Sequence, residues 1–315
     1  EQQQLSSIRE VAENFENANL WWIDAGWYPC RGKDGKRDWT LTGSWYPDPE
    51  RFPNGLAPIG KACDEAGMDL LVWFEPERIR PGLKLAVEHP EWMLKRKDPE
   101  VENMLLDLTN PDCFKWICET FVKLFNESGI KCYRQDFNFE PLLHWRDNEP
   151  DDRKGMLENL YVQAYLAFWD YLLMNVPGLW IDSCSSGGRR NDLETMRRAV
   201  PLHRTDFDYS NNSIQQGYNF AMASWIPYFG CKSDWNGYSS VSANKASFRR
   251  SVVAPWMVMG LDGNEITDWD HIAEMVDEHA DVSRFIYDDY YQLTPFSNGD
   301  NTWLAWEYYS EDKGE

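Results

Sequence analysis

The chain has 315 residues, 43% of them hydrophobic and 15% aromatic, enough to bury one large core and suited to a single barrel better than to two small domains. Its 31 basic and 52 acidic residues leave a net charge of −21, which repels nucleic acid and suits a neutral ligand. Seven cysteines without a CxxC pair and five histidines without HxxxH or HExxH spacing argue against a zinc site and a disulfide framework, so no metal or cofactor is expected and a reducing compartment such as the cytoplasm is favoured.

In chain order, Glu1-Gln2-Gln3-Gln4 has neither the basic nor the apolar part of a signal peptide, and no apolar run is long enough to span a membrane. Leu5–Asn19 has a helical pattern, so the chain enters on a helix. Strand-like runs then alternate with helical segments, the arrangement of βα units around a parallel sheet. The runs are Leu20–Trp27, Asp69–Glu77, Lys131–Asn138, Leu179–Ser185, Leu202–Asp208, a poorly defined one near Phe229–Trp235, and Trp256–Leu261. Between the second and third, Asn110 is an N-cap, Pro111 occupies the first helical position, Phe114–Phe125 is amphipathic and Gly129 ends the helix. Gly155–Met174 is a second covering helix, stopped by Pro177-Gly178. The charged cluster Arg146–Lys154 reads as a solvated loop. Leu293–Asn301 is rich in turn residues, and Thr302–Tyr309 after it reads as an aromatic strand. The expected fold is an α/β, (β/α)8 TIM-like barrel over residues 1–292, lacking its first strand. Residues 293–315 are expected to form a linker and the first strand of a truncated C-terminal β domain.

Barrels carry their chemistry at the C-terminal ends of the strands. There the predicted strands deliver Asp24 and Trp27; Trp73, Glu75 and Glu77; Arg134, Asp136 and Asn138; Asp182, Cys184 and Ser185; Arg204, Asp206 and Asp208. Two carboxylates from different strands are what glycoside hydrolysis requires, and Asp136 and Asp206 are the expected pair. Arg134, two residues before Asp136, shares its strand face and favours the ionised carboxylate; a plain strand-end ion pair between the two is the competing reading. The same choice applies to Arg204 and Asp206. Glu75 and Glu77, with Pro76 between them and Arg78 and Arg80 beside them, read as loop-fixing residues more than as rival acids. The small residues of Cys184-Ser185-Ser186-Gly187-Gly188 allow a ligand to approach backbone closely, without the lysine or spacing of a phosphate loop.

These residues carry a family resemblance. Trp22-Ile23-Asp24-Ala25-Gly26-Trp27 is similar to LDDGWF, Gly43-Ser44-Trp45 through Arg51–Leu56 to GDW and KFPNGL, and Leu71–Glu77 to LWFEPE. Arg134-Gln135-Asp136 falls on a KWD motif, Cys184–Arg189 on CSGGGGR, and Arg204-Thr205-Asp206 on TSD. The chain thus resembles, nearly end to end, the catalytic barrel of glycoside hydrolase family 36, the melibiase-type α-galactosidases. The resemblance implies a retaining hydrolase of terminal α-galactosyl-type residues, with Asp136 as nucleophile and Asp206 as general acid/base. By the same resemblance Asp24, Trp73, Arg134, Cys184 and Gly187 contact the sugar, and Asn138 and Arg204 join them from their strand-end positions. The implied partner is an oligosaccharide or glycoconjugate, with neither nucleic acid nor membrane, and a homo-oligomer is allowed.

Three departures bear on specificity. Ala25 stands where the family has a second aspartate that grips the 4- and 6-hydroxyls of galactose, Arg134 stands for a lysine, and Gln135 for a tryptophan expected to wall the nucleophile. An α-N-acetylgalactosaminidase, a galactosyl-transferring relative and a catalytically silent carbohydrate-binding barrel are the alternatives.

Overall fold

The computed structural model describes residues 1–202, 212–225, 230–232, 254–256, 269–299 and 301–314. They form two compact units, the first made of Glu1–Ile8, Asn19–Ser186 and Arg190–Ala199, the second of Arg9–Ala18, Gly187–Arg189 and Val200–Glu315.

In the first unit a four-stranded parallel sheet holds β1 (Leu20–Ile23), β2 (Asp69–Phe74), β3 (Ile130–Gln135) and β4 (Trp180–Ser183) in that spatial order. Helix α1 (Gln2–Asn14) precedes β1, α2 (Ala57–Glu65) leads into β2, α3 (Pro111–Ser128) into β3 and α4 (Met156–Asn175) into β4. Crossovers of this kind cover a parallel sheet on its faces, which is why Leu70, Leu71, Val72, Trp73 and Phe74 are buried in succession instead of alternating with polar residues.

Helix α3 shows how the sequence fixes its own boundaries. The Asn110 side chain accepts from the backbone N–H groups of Asp112 and Cys113, Pro111 follows, and Gly129 closes the helix at φ 67° with its N–H on the Phe125 carbonyl. The apolar stripe between, Cys113, Ile117, Cys118, Phe121 and Phe125, faces the sheet. Phe74 lies 5.0 Å from Phe121 and 5.4 Å from both Phe125 and Tyr133, while Phe168 of α4 lies 5.6 Å from Phe121. Burying each such ring stabilises the fold by roughly 1.5–3 kcal/mol, so this cluster is the centre of the core. Helix α2 approaches the end of α3 so closely that a Cβ on Gly60 would lie 1.9 Å from the Ser128 carbonyl oxygen. Only glycine fits there.

A side ribbon of three short antiparallel strands, Arg78–Ile79, Met104–Leu106 and Met93–Leu94 in spatial order, follows β2. Segments this short carry no readable periodicity. The charged cluster after β3 is more than a solvated loop. Arg146 bonds Glu149 and Glu158, and the buried Glu149 carboxylate accepts from the N–H groups of Gly155 and Leu157, capping the start of α4.

In the second unit Gly230–Lys232 pairs in parallel with Ala254–Trp256. Asp289–Gln292 pairs antiparallel with Trp306–Tyr309, and this hairpin docks on the helix Asn212–Ala223 through Tyr290 Oη and Gln292 Nε2, both donating to the Phe220 carbonyl. The expected division at 292/293 therefore runs between two paired strands.

The expected elements are mostly found, with shorter ends. The opening helix stops at Asn14 instead of Asn19, and the strands stop at Ile23, Phe74, Gln135 and Ser183. The residues beyond are those with turn chemistry: Gly26 has φ 90° and Pro76 interrupts the run after β2. Of the later expected strands, Leu202–Asp208 and Trp256–Leu261 fall almost wholly outside the described residues. No helix among the described residues is long and apolar enough to cross a membrane.

Candidate active site

Parallel strands end together, so the residues just after β1 to β4 meet at one edge of the sheet. Strand register brings Trp73, Arg134 and Asp182 into one row, since Trp73 pairs with Arg134 and Arg134 with Asp182. Arg134 and Asp182 form a buried ion pair across neighbouring strands, and the Arg134 guanidinium also lies 4.6 Å from the centre of the Trp22 ring. The partner of Arg134 is thus Asp182, and the simple Arg134–Asp136 ion pair considered from spacing is not what forms. Burial alone would make Arg134 easier to deprotonate, but the negative charges of Asp182, Asp136 and Asp24 outweigh it and hold the guanidinium charged.

Asp136 follows Arg134 on the same face and is 7% exposed. Its Oδ1 accepts from the N–H groups of Phe137 at 2.7 Å and Ser186 at 3.0 Å, and its Oδ2 from Asn138 Nδ2 at 2.8 Å and Trp73 Nε1 at 3.1 Å. Burial is the largest influence on this carboxyl and opposes its ionisation. The Arg134 charge and the donors from Asn138, Ser186 and Phe137 together overcome it, leaving the pKa below the ordinary aspartate value. The group is a fixed, ionised carboxylate.

Asn138 is engaged on every side. Besides donating to Asp136 it donates through its backbone N–H to Glu75 Oε1 at 2.6 Å and through Nδ2 to Glu75 Oε2 at 3.2 Å, and its Oδ1 accepts from Ser186 Oγ at 2.6 Å. Ser186 is the one non-glycine residue with positive φ among those described, at 46°. That conformation is costly for serine, and here it aims both N–H and Oγ at the Asp136–Asn138 pair. Its position in a run of small residues was visible; its backbone was not.

The two glutamates after β2 are both fully buried and differently used. Glu75 pairs with Arg78 and receives Asn138. Glu77 accepts from Gln135 Nε2 at 2.7 Å, Tyr161 Oη at 2.9 Å and both terminal nitrogens of Arg190 at 2.6 and 3.0 Å. Arg190 is in turn held between the rings of Phe137 and Tyr165. Glu77 therefore ties the ends of β2 and β3 to the segment after β4. Gln135 belongs to this interior network, accepting from Trp169 Nε1 and Tyr133 Oη at 2.6 Å each, so it occupies the core side of β3 and not the wall beside Asp136.

Complete burial pushes the Glu75 carboxyl up to about 7, against the Arg78 charge and the Asn138 donors. A folded-state value above the unfolded one makes the contribution to stability fullest below the ordinary glutamate range and removes it as pH rises through neutral. Thermal denaturation from about pH 5 to about pH 8 is therefore expected to show a falling Tm component that is absent in Glu75→Gln; an identical pH dependence in both proteins would contradict this.

The remaining expected site residues divide three ways. Asp24 is exposed at the end of β1, with Oδ1 accepting from the Ala25 N–H at 2.7 Å; Trp73 is 2% and Cys184 3% exposed. Gly187, at φ 88°, lies in the second unit. Arg204, Asp206 and Asp208 fall outside the described residues. Asp182 and Arg190, whose partners lie 48 and 113 residues away, could not be paired from sequence alone.

The sequence model for Melibiase matches residues 1–290. An α-galactosidase of Escherichia coli is 25% identical over 277 residues, which is 86% of this chain and 37% of that protein. Alpha-galactosidase Mel36A of Lactobacillus acidophilus is 24% identical over 297 residues, 90% of this chain and 39% of its own. The chain thus spans about two fifths of the length of these relatives. Among solved structures, the family 36 α-galactosidase AgaA of Geobacillus stearothermophilus superposes with a TM-score of 0.82 at 21% identity, covering 99% of this chain and 44% of that one. A variant of the same enzyme solved with raffinose gives 0.81 at 20% identity, covering 99% and 44%. These likenesses show the fold, an α/β TIM-like barrel.

Proposed function

The chain belongs to the melibiase family, glycoside hydrolase family 36, and we propose that it is a retaining glycoside hydrolase removing terminal α-galactosyl-type residues from oligosaccharides or glycoconjugates. The observation that carries this reading is the setting of Asp136: a buried carboxylate at a strand end, kept ionised by Arg134 and four hydrogen-bond donors. The relatives named as α-galactosidases and the raffinose-bound neighbour support the substrate class.

In the proposed mechanism an Asp136 oxygen attacks the anomeric carbon while Asp206 donates a proton to the departing glycosidic oxygen, whose bond to that carbon breaks. The product of this step is a glycosyl ester on Asp136. Asp206, now a carboxylate, takes a proton from water, the water oxygen attacks the same carbon, and Asp136 departs with its bonding pair. Two inversions give net retention. Asp24, Trp73, Arg134, Asn138, Cys184, Gly187 and Arg204 are proposed to bind or shape the sugar pocket, with Trp73 and Asn138 acting through their bonds to Asp136. Residues 1–292 are proposed as the catalytic barrel, and 293–315 as a linker and the first strand of a C-terminal β domain.

Aryl α-glycosides of galactose, N-acetylgalactosamine and glucose test the reading. The highest kcat/KM is expected with the galactoside, and absence of turnover on all three would contradict it. Ala25 makes the glucoside the most informative comparison, because glucose is the C4 epimer of galactose and a missing anchor for the 4- and 6-hydroxyls weakens discrimination at that carbon.

A further inference from the structure

The loop between β1 and α2 carries an indole at the surface. Trp39 is 45% exposed, whereas the rings of Trp27, Tyr28, Trp45 and Trp73 near it are buried. It is nevertheless fixed. Its carbonyl accepts from Tyr28 Oη, and its Cβ passes beside Gly26, where a side-chain carbon would come within 3.9 Å. Its ring meets Trp73 edge-on at 86° and 6.0 Å between centres, and the Arg78 guanidinium lies 5.5 Å from its centre. Arg78 is itself buried and paired with Glu75, so the indole is supported by groups that cannot move away. An aromatic ring held this way loses little freedom when a ligand settles on it, and a flat apolar surface suits the C–H face of a pyranose.

Depth decides which sugar it meets. Asp136 is 7% exposed and Trp73, which donates to it, 2% exposed. A reacting sugar must reach that depth. Trp39 stands one aromatic layer further out, where the unit beyond the bond to be cleaved would still lie near solvent. Resting on the hydrolase reading, we propose that Trp39 is the stacking platform of a second saccharide subsite, which holds the leaving-group sugar of an oligosaccharide substrate. Specificity for chain length, and not for the terminal sugar, resides there.

The test compares the protein with its Trp39→Ala and Trp39→Tyr variants on α-galactosyl fluoride, whose leaving group is a single atom, and on an α-galactosyl trisaccharide. Trp39→Ala is expected to lower kcat/KM for the trisaccharide about ten-fold, chiefly through KM, and to leave the fluoride unchanged, with Trp39→Tyr between the two. Calorimetry on Asp136→Asn, with and without Trp39→Ala, should show the same selective loss in affinity for the trisaccharide and none for galactose. Equal losses for both ligands would mean that Trp39 acts by propping Trp73, and no loss for either would mean that it touches no sugar; both outcomes overturn the proposal. A protein that binds the trisaccharide through Trp39 but turns over neither substrate would keep the subsite and contradict the hydrolase reading alone.

Discussion

Replacing Asp136 by alanine is expected to lower kcat by roughly 10^4-fold or more on every α-glycoside substrate, because it removes the group that forms the covalent intermediate. Folding should survive better than catalysis. Trp73, Asn138 and the Ser186 N–H lose an acceptor, but the Arg134–Asp182 pair and the Glu77–Arg190 clamp remain. The cavity left behind admits a small anion. Added azide should attack the anomeric carbon from the face that Asp136 occupied, expelling an activated aryl oxide and giving the β-glycosyl azide. Appearance of that azide with an inverted anomeric centre identifies the missing carboxylate as the nucleophile. Turnover of Asp136→Ala within a few-fold of the unmodified protein would remove Asp136 from the mechanism.

The second large effect is expected at Asp206, and it depends on the leaving group. Protonating the departing oxygen matters most when that oxygen leaves as a poor alkoxide, so Asp206→Asn should slow oligosaccharide cleavage by about 10^2 to 10^4-fold. A nitrophenyl glycoside, whose oxygen leaves without help, should still form the glycosyl ester at close to the normal rate. Because the same residue later activates water, the ester should then accumulate and nitrophenol should appear as a burst followed by a slow phase. If Asp208→Asn gives this pattern and Asp206→Asn does not, the acid/base belongs two residues further along the Asp206-Phe207-Asp208 run.

What the sequence could reveal follows from the range over which each signal acts. Helix α3 was legible at both ends because its boundaries are set by Asn110, Pro111 and Gly129, all local residues whose backbone preferences do not depend on the rest of the chain. The starts of β1 to β4 were legible for the same reason. Their ends were overestimated because the expected runs were carried through the strand-end carboxylates to Trp27 and Glu77, past Gly26 and Pro76, where the hydrogen-bonded ladder has already stopped. The candidate nucleophile was visible as a carboxylate at a strand end. The groups that keep it ionised were only partly so. Arg134 is near in sequence, but its partner Asp182 is set by strand register, and Ser186 contributes through a left-handed backbone that residue type disfavours. Gln135 shows the limit from the other direction. It stands where the resemblance puts a tryptophan expected to wall the nucleophile, whereas alternation along the strand turns this position into the core, where Trp169 and Glu77 take up the Gln135 amide.

A double displacement through Asp136 fixes the anomeric configuration of the first product. Proton NMR of an α-galactoside digest, recorded before mutarotation equilibrates the sugar, should show the α-anomer of the released hexose appearing first. Initial release of the β-anomer would mean a single displacement by water, and would contradict the assignment of Asp136 as nucleophile.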